Sequence, residues 1–245
     1  MNVDLIVTRF IEGLQYVDAH TTTVTSARSG EAYLPGVQSM NERTAVGEVV
    51  AFWTQNYPSD FTPSSLCRTE QPYPESAAKK ADIVFDSLSI ETENKGAIER
   101  WAVEAKRFQF VGDNGKNNDF GVAKMFSPYL KDSSLSHDAH RLAESAVATR
   151  KVVLVYGFEY DLSITRQSLK IHPTHAERIK NIERVCKNND PISPGINFDL
   201  LITRVGPNLK EVVEVRDFAD RSATGLWRHP CGGKIRVLGW EICSK

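Results

Sequence analysis

The run Lys151-Val152-Val153-Leu154-Val155-Tyr156-Gly157 constrains this chain more than any other segment. From Val152 to Tyr156 no residue is charged and valine dominates, so the run reads as a strand with no polar face. Such a strand sits inside a sheet covered on both sides. A helix expected from about Ser136 to Thr149 leads directly into it, and a helix feeding a buried strand belongs to an α/β layer architecture.

The rest of the chain supplies partners for that strand. Leu5, Ile6, Phe10, Ile11, Leu14 and Val17 recur at helical spacing, which predicts a first amphipathic helix over residues 4 to 20. Thr21 to Ser29 and Gly30 to Gly36 break the pattern. A second helix is expected from about Asn41 to Asn56, with Val46, Val49, Val50 and Trp53 on its buried side, Glu48 beside that stripe, and Pro58 closing it. Residues 58 to 80, rich in Pro, Ser and Thr, read as a long loop. Strands are expected at Asp82 to Ser89 and Arg100 to Phe110. The polar turn Glu93-Asn94-Lys95-Gly96 between them implies an antiparallel hairpin. Gly112 to Asp119 is a loop by composition. After residue 160 the sequence predicts a charged helix (Thr174 to Asn188) and two strands (Asn197 to Arg204 and Glu211 to Phe218). No internal repeat interrupts this order, so residues 1–245 are read as one domain with a core over about 40–160.

Composition narrows the functional classes. The 30 basic and 31 acidic residues leave a formal charge of −1, so any nucleic-acid surface has to be a local patch. The four cysteines contain no C-x-x-C pair. Met1 to Leu14 mixes charges with apolar residues rather than forming a secretory or transit segment, and a reducing cytoplasm is the expected location. No apolar run approaches the roughly 18 residues that span a bilayer, and no membrane role is expected.

Chemistry concentrates in the predicted hairpin. Within Trp101-Ala102-Val103-Glu104-Ala105-Lys106, a carboxylate and an ammonium stand two residues apart on one face of an apolar strand, opposite Val103 and Ala105. Upstream, Asp82 heads Ile83-Val84-Phe85, sharing a face with Val84 and Asp86; Asp86 is the reserve ligand. Two carboxylates beside a lysine are the hard-oxygen donors and the positive charge that phosphodiester hydrolysis requires. Alone, Glu-x-Lys is a common triplet that a surface strand carries as a solvated ion pair.

The pattern Asp82, then Glu104-x-Lys106, resembles the PD-(D/E)xK nuclease superfamily, the fold of many restriction enzymes, and the α-β-β-α-β order over about residues 40 to 160 is similar to its core. The resemblance implies a restriction endonuclease-like α/β fold, a mixed central sheet flanked by helices, and a Mg²⁺-dependent DNA endonuclease. Mn²⁺ is a possible substitute. Its catalytic residues would be Asp82, Glu104 and Lys106, with the metal held by Asp82, Glu104 and the Ala105 carbonyl. Lys106 would orient or deprotonate water, and Glu48, matching a helix glutamate of many members, would complete the metal shell. The resemblance also implies double-stranded DNA as partner, a homodimer with one site per strand, and a stand-alone restriction or defence role. The alternative is a catalytically silent member that binds nucleic acid or a protein through the same scaffold.

DNA contacts are expected from two basic, glycine-flanked segments: Lys116 and Lys124 after the catalytic strand, and Arg228, Lys234 and Arg236 around Gly232-Gly233. Phe198-Asp199 with Val213-Glu214-Val215-Arg216 imitates the motif, but arginine stands where lysine is needed and stays protonated. His137 and His140, His172 and His175, and His229 beside Cys231 lack a complete zinc ligand set.

Overall fold

The structure, a computed structural model, describes residues 1–21, 30, 32–63, 65, 67–108, 125, 127–129, 134–186, 206–207, 209–224 and 227–243. The N-terminal apolar spacing becomes helix α1 (Val3–His20), started by the Asn2 side chain, which accepts the Leu5 N–H. Helix α2 (Glu42–Asn56) begins in the same way, with Asn41 accepting from the Thr44 N–H, and buries Ala45, Val46, Val49, Val50 and Trp53. The sheet then starts with β1 (Arg68–Tyr73), β2 (Ser76–Leu88) and β3 (Ile98–Phe108). Helix α3 (Leu135–Glu144) precedes β4 (Arg150–Glu159), and α4 (Leu162–Ile171), α5 (Ala176–Cys186), β5 (Val215–Thr224) and β6 (Lys234–Ile242) follow.

The six strands form one mixed sheet in the order β1-β2-β3-β4-β6-β5. Only β3 and β4 are parallel, joined by the segment that contains α3; the other neighbours are antiparallel. Pleating sends Ile83, Phe85, Trp101, Val103, Ala105, Val152, Leu154 and Tyr156 into one core layer with α1 and α2. Val84, Ala102, Phe108, Val153 and Val155 enter the other layer against Leu135, Ala139, Leu142 and Ala143 of α3. The protein is therefore α/β, with helices on both sheet faces and β4 buried as its sequence requires.

Several boundaries differ from expectation, each for a physical reason. The expected loop over 58 to 80 contains β1 and the first half of β2. β1 is an edge strand, where Arg68-Thr69-Glu70-Gln71-Pro72 can remain polar and Pro72 need not donate to a second neighbour. α3 stops at Glu144 rather than Thr149, with Ser145 as its C-cap. The strand expected to begin at Glu211 begins at Val215, residues 211–212 being helical. The strand expected at Asn197 to Arg204 lies outside the described residues.

Helix α4 and strand β6 have no counterpart in the sequence reading. In β6 the apolar run is interrupted by Gly239, and the interruption is a packing requirement. A Cβ there would lie 2.5 Å from Val7 Cγ2 and 3.1 Å from Val3 Cγ2, so glycine lets α1 settle on the sheet. The two ends of the chain thus meet over one core layer, which contains both Met1 and Val237.

Candidate active site

The β2–β3 pairing runs from Leu88↔Ile98 to Ile83↔Val103 and ends there. Beyond that point β2 continues against β1, with Ala81 opposite Gln71, while β3 continues against β4, with Glu104 opposite Val153. Asp82 stands where the two strands part, and its Oδ2 accepts the Ala105 N–H at 2.8 Å. The carboxylate satisfies a backbone donor that the pairing has left behind.

Glu104 is 3% exposed. Its Oε1 accepts from both the Tyr73 hydroxyl at the end of β1 and Arg141 Nη2 at 3.1 Å. Glu104 perturbs Asp82. Burial first, then the negative charge of Glu104 and a hydrogen bond shared with it, push Asp82 up to about 8, against the Ala105 N–H and Lys106. Glu104 is also raised, by burial and by the charge of Asp138, with Tyr73 and Arg141 opposing. A carboxyl raised in this way gives up its proton more readily when a cation stands beside it.

Lys106 projects towards α3, where its Nζ lies 2.6 Å from Asp138 Oδ2. Burial disfavours its charge, but Asp138, Glu42 and Glu104 outweigh that and raise the lysine above its ordinary value. It is held as the ammonium. A base role for Lys106 requires a free amine, so its available contribution is positive charge.

Asp138 is 1% exposed and takes one cation on each oxygen, Lys106 on Oδ2 and Arg141 Nη2 on Oδ1 at 2.6 Å. Spacing alone draws attention to His137 and His140 on this helix, whereas the side chains that reach β3 are Asp138 and Arg141. The missed signal was a carboxylate within the apolar stripe of Leu135, Ala139 and Leu142. His137 instead meets Ser134 and His140 meets Glu144 at 3.3 Å.

The glutamate of α2 that lies against β3 is not the one expected. Glu48 is exposed, whereas Glu42, in the first turn of α2, reaches β3, where its Oε2 accepts the Arg107 N–H. Six residues of helix turn the two side chains roughly 120° apart, so only one can face the hairpin. Burial raises Glu42, Lys106 opposes the shift, and Asp82 adds to it. Asp86, the reserve ligand, is engaged by Arg100 through both oxygens at 2.7 and 3.0 Å.

Among the described residues no group of three or more His, Cys, Asp or Glu side chains is arranged to hold a metal ion. The donors on offer are the Asp82 and Glu104 carboxylates, in contact and acceptor-rich. Mg²⁺ ordinarily keeps several waters and takes only one or two protein carboxylates, so this pair fits its demands.

No family model, curated protein or solved structure matches the chain. The site therefore rests on its own geometry.

Of the expected DNA contacts, Lys116 and Lys124 lie outside the described residues. The Arg228 N–H donates to Asp18 Oδ2 at 2.8 Å and its guanidinium to the Thr21 carbonyl. Lys234 pairs with Glu159 at 2.8 Å, and Arg236 lies against Asp220 at 2.7 Å and Glu159 at 3.7 Å. Arg236 is opposite Gly157 of β4, which is opposite Phe108 of β3, so this cluster shares the sheet end on which Lys106 lies. Its positive charge is largely matched by carboxylates.

The imitation motif has a structural role: Arg216 pairs with Glu91 at 2.6 Å and Glu241 at 3.8 Å, and the Glu214 carbonyl accepts from Cys243; Asp199 lies outside the described residues. His229 is buried, which pushes it down to about 3, and its Nδ1 accepts the Cys231 N–H at 3.2 Å. That ring is neutral and enclosed. No helix among the described residues is long and apolar enough to cross a membrane.

Proposed function

We propose that this chain is a Mg²⁺-dependent endonuclease of the restriction endonuclease-like class that hydrolyses phosphodiester bonds in double-stranded DNA. The observation that carries the reading is the meeting of Asp82, Glu104 and Lys106 where β2 and β3 separate, with Glu42 close behind. A strand fork of purely structural purpose has no reason to gather two interacting carboxyls, one of them buried, and a partly buried lysine.

Each residue then has a task. Asp82 and Glu104 would hold the cation, alongside the Ala105 carbonyl. Mg²⁺ bound there would supply Lewis acidity at a phosphate oxygen and a more acidic water. Lys106, held as the ammonium, opposes the negative charge that builds on phosphorus during in-line attack. Tyr73 and Arg141 orient Glu104 by occupying its Oε1. Cutting both strands would require two copies of the site, which favours a homodimer in a restriction or defence role.

A second reading, the same scaffold without catalysis, is favoured by one observation: Lys106 is already engaged by Asp138 at 2.6 Å. Supercoiled plasmid incubated with Mg²⁺, Mn²⁺ or chelator separates the two. We expect nicking or linearisation with either cation, none with chelator, and loss in Asp82→Ala, Glu104→Ala and Lys106→Ala proteins that melt cooperatively. No cleavage by the wild-type protein with either cation, or undiminished cleavage by Asp82→Ala, rejects the nuclease.

A further inference from the structure

Glu104 and Lys106 are neighbours on one face of β3, and a single helix holds both. Arg141 Nη2 lies 3.1 Å from Glu104 Oε1 and 2.6 Å from Asp138 Oδ1, while Lys106 Nζ lies 2.6 Å from Asp138 Oδ2. Asp138 and Arg141 are three residues apart, the spacing that places two side chains side by side on a helix. The result is a chain of alternating charge, Glu104–Arg141–Asp138–Lys106. It begins and ends on the two residues to which the proposed chemistry assigns different work.

The geometry on Glu104 is selective. Both of its neighbouring donors, the Tyr73 hydroxyl and Arg141, use Oε1. The same carboxylate also lies within interaction range of Asp82, whose carboxyl feels its charge. A guanidinium on one carboxylate oxygen fixes the plane of the group and favours its charged form, as outer partners of metal-binding carboxylates do.

The pair is also placed where structural economy would not put it. α3 otherwise contributes Leu135, Ala139, Leu142 and Ala143 to an apolar layer, and a buried ion pair replaced by apolar residues is often neutral or stabilising. Among the described contacts, the side chains of Asp138 and Arg141 reach the sheet at Glu104, Lys106 and Tyr73.

We infer that Asp138 and Arg141 are positioning residues of the proposed site: Arg141 presents Glu104 to the cation, and Asp138 holds Lys106 at the distance from which it meets the phosphate. The inference rests on the nuclease reading. It separates the two residues by what they control, Arg141 acting on cation affinity and Asp138 on turnover.

Calorimetric titration with Mn²⁺ alone and plasmid-cleavage kinetics with Mg²⁺, on the full chain, test it. Arg141→Gln keeps a polar side chain of similar reach and is expected to weaken Mn²⁺ binding about tenfold or more, the scale for outer partners of metal ligands. Arg141→Lys, which restores the charge, should recover most of that affinity. Asp138→Asn should leave Mn²⁺ binding within about threefold, yet lower kcat about tenfold with KM little changed.

Affinity is measured only on proteins whose thermal melts are cooperative, and Tyr73→Phe, which removes one hydroxyl from the same Glu104 oxygen, serves if Arg141→Gln does not fold. It too should weaken Mn²⁺ binding. Wild-type Mn²⁺ affinity in Arg141→Gln, or in Tyr73→Phe where that serves, overturns the inference while leaving the nuclease intact; so does wild-type kcat in Asp138→Asn. Wild-type protein that binds no Mn²⁺ in an Asp82-dependent manner removes both.

Discussion

Asp82 shows how much one side chain depends on its neighbours. Its carboxyl stands at about 8 in the folded protein against an ordinary 3.8, chiefly through burial and secondly through Glu104. Between those pH values the folded state binds more protons than the unfolded chain, so stability falls as pH rises across the window. The slope is bounded at about 1.4 kcal/mol per pH unit for a single group. Urea unfolding in chelator should therefore show the wild-type protein weaker at pH 8 than at pH 5. Asp82→Asn, which keeps an acceptor for the Ala105 N–H, should flatten the difference. Identical pH dependence in the two proteins would show that the Asp82 carboxyl is not raised.

At the scale of elements, the helix-to-strand step from α3 to β4 is held by a lysine that the sequence places at the start of an apolar run. Lys151 is 1% exposed, and its Nζ donates to the carbonyls of Ala143 at 2.9 Å and Ser145 at 2.7 Å. The last carbonyls of a helix lack intrahelical partners, and here an ammonium from the next strand satisfies them. This cap ties to β4 the helix whose Asp138 and Arg141 contact Lys106 and Glu104. Lys151→Met keeps the apolar stem and removes the donors. It should lower stability by about 2–4 kcal/mol, since two carbonyls lose charged partners in a buried place. Equilibrium urea denaturation measures this, and a variant within about 0.5 kcal/mol of wild type would mean that other donors replace the ammonium.

For the molecule as a whole, the first helix is part of the core and not an ornament of it. α1 buries Val3, Ile6, Val7, Phe10, Ile11, Leu14 and Val17 and packs on α2, β5 and β6. At about 1.5–3 kcal/mol per buried side chain, its contribution is comparable with the whole net stability of a domain, about 5–15 kcal/mol. Deleting residues 1–20 is therefore expected to abolish cooperative unfolding and to expose dye-binding apolar surface. A truncated chain with a sharp thermal transition near that of the full protein would show that the rest of the core packs without α1.

The elements legible from residue order were those whose periodicity reports burial directly. α1, α2, the β2–β3 hairpin and β4 follow from apolar spacing at 3.6, 2 or 1, because each presents a stripe, a face or a whole strand to the interior. Alternation along β3 likewise made it legible that Glu104 and Lys106 share a face. The polar edge strand β1 and the glycine-interrupted β6 were not legible, since an edge tolerates polar residues and Gly239 answers to α1, more than two hundred residues earlier in the chain. Nor could spacing choose Glu42 over Glu48, join Asp138 to Lys106, or reveal that Lys234 and Arg236 are matched by Glu159 and Asp220. Those choices depend on the angle at which a helix or a neighbouring strand meets the sheet. That angle is set by long-range packing, and no local pattern encodes it.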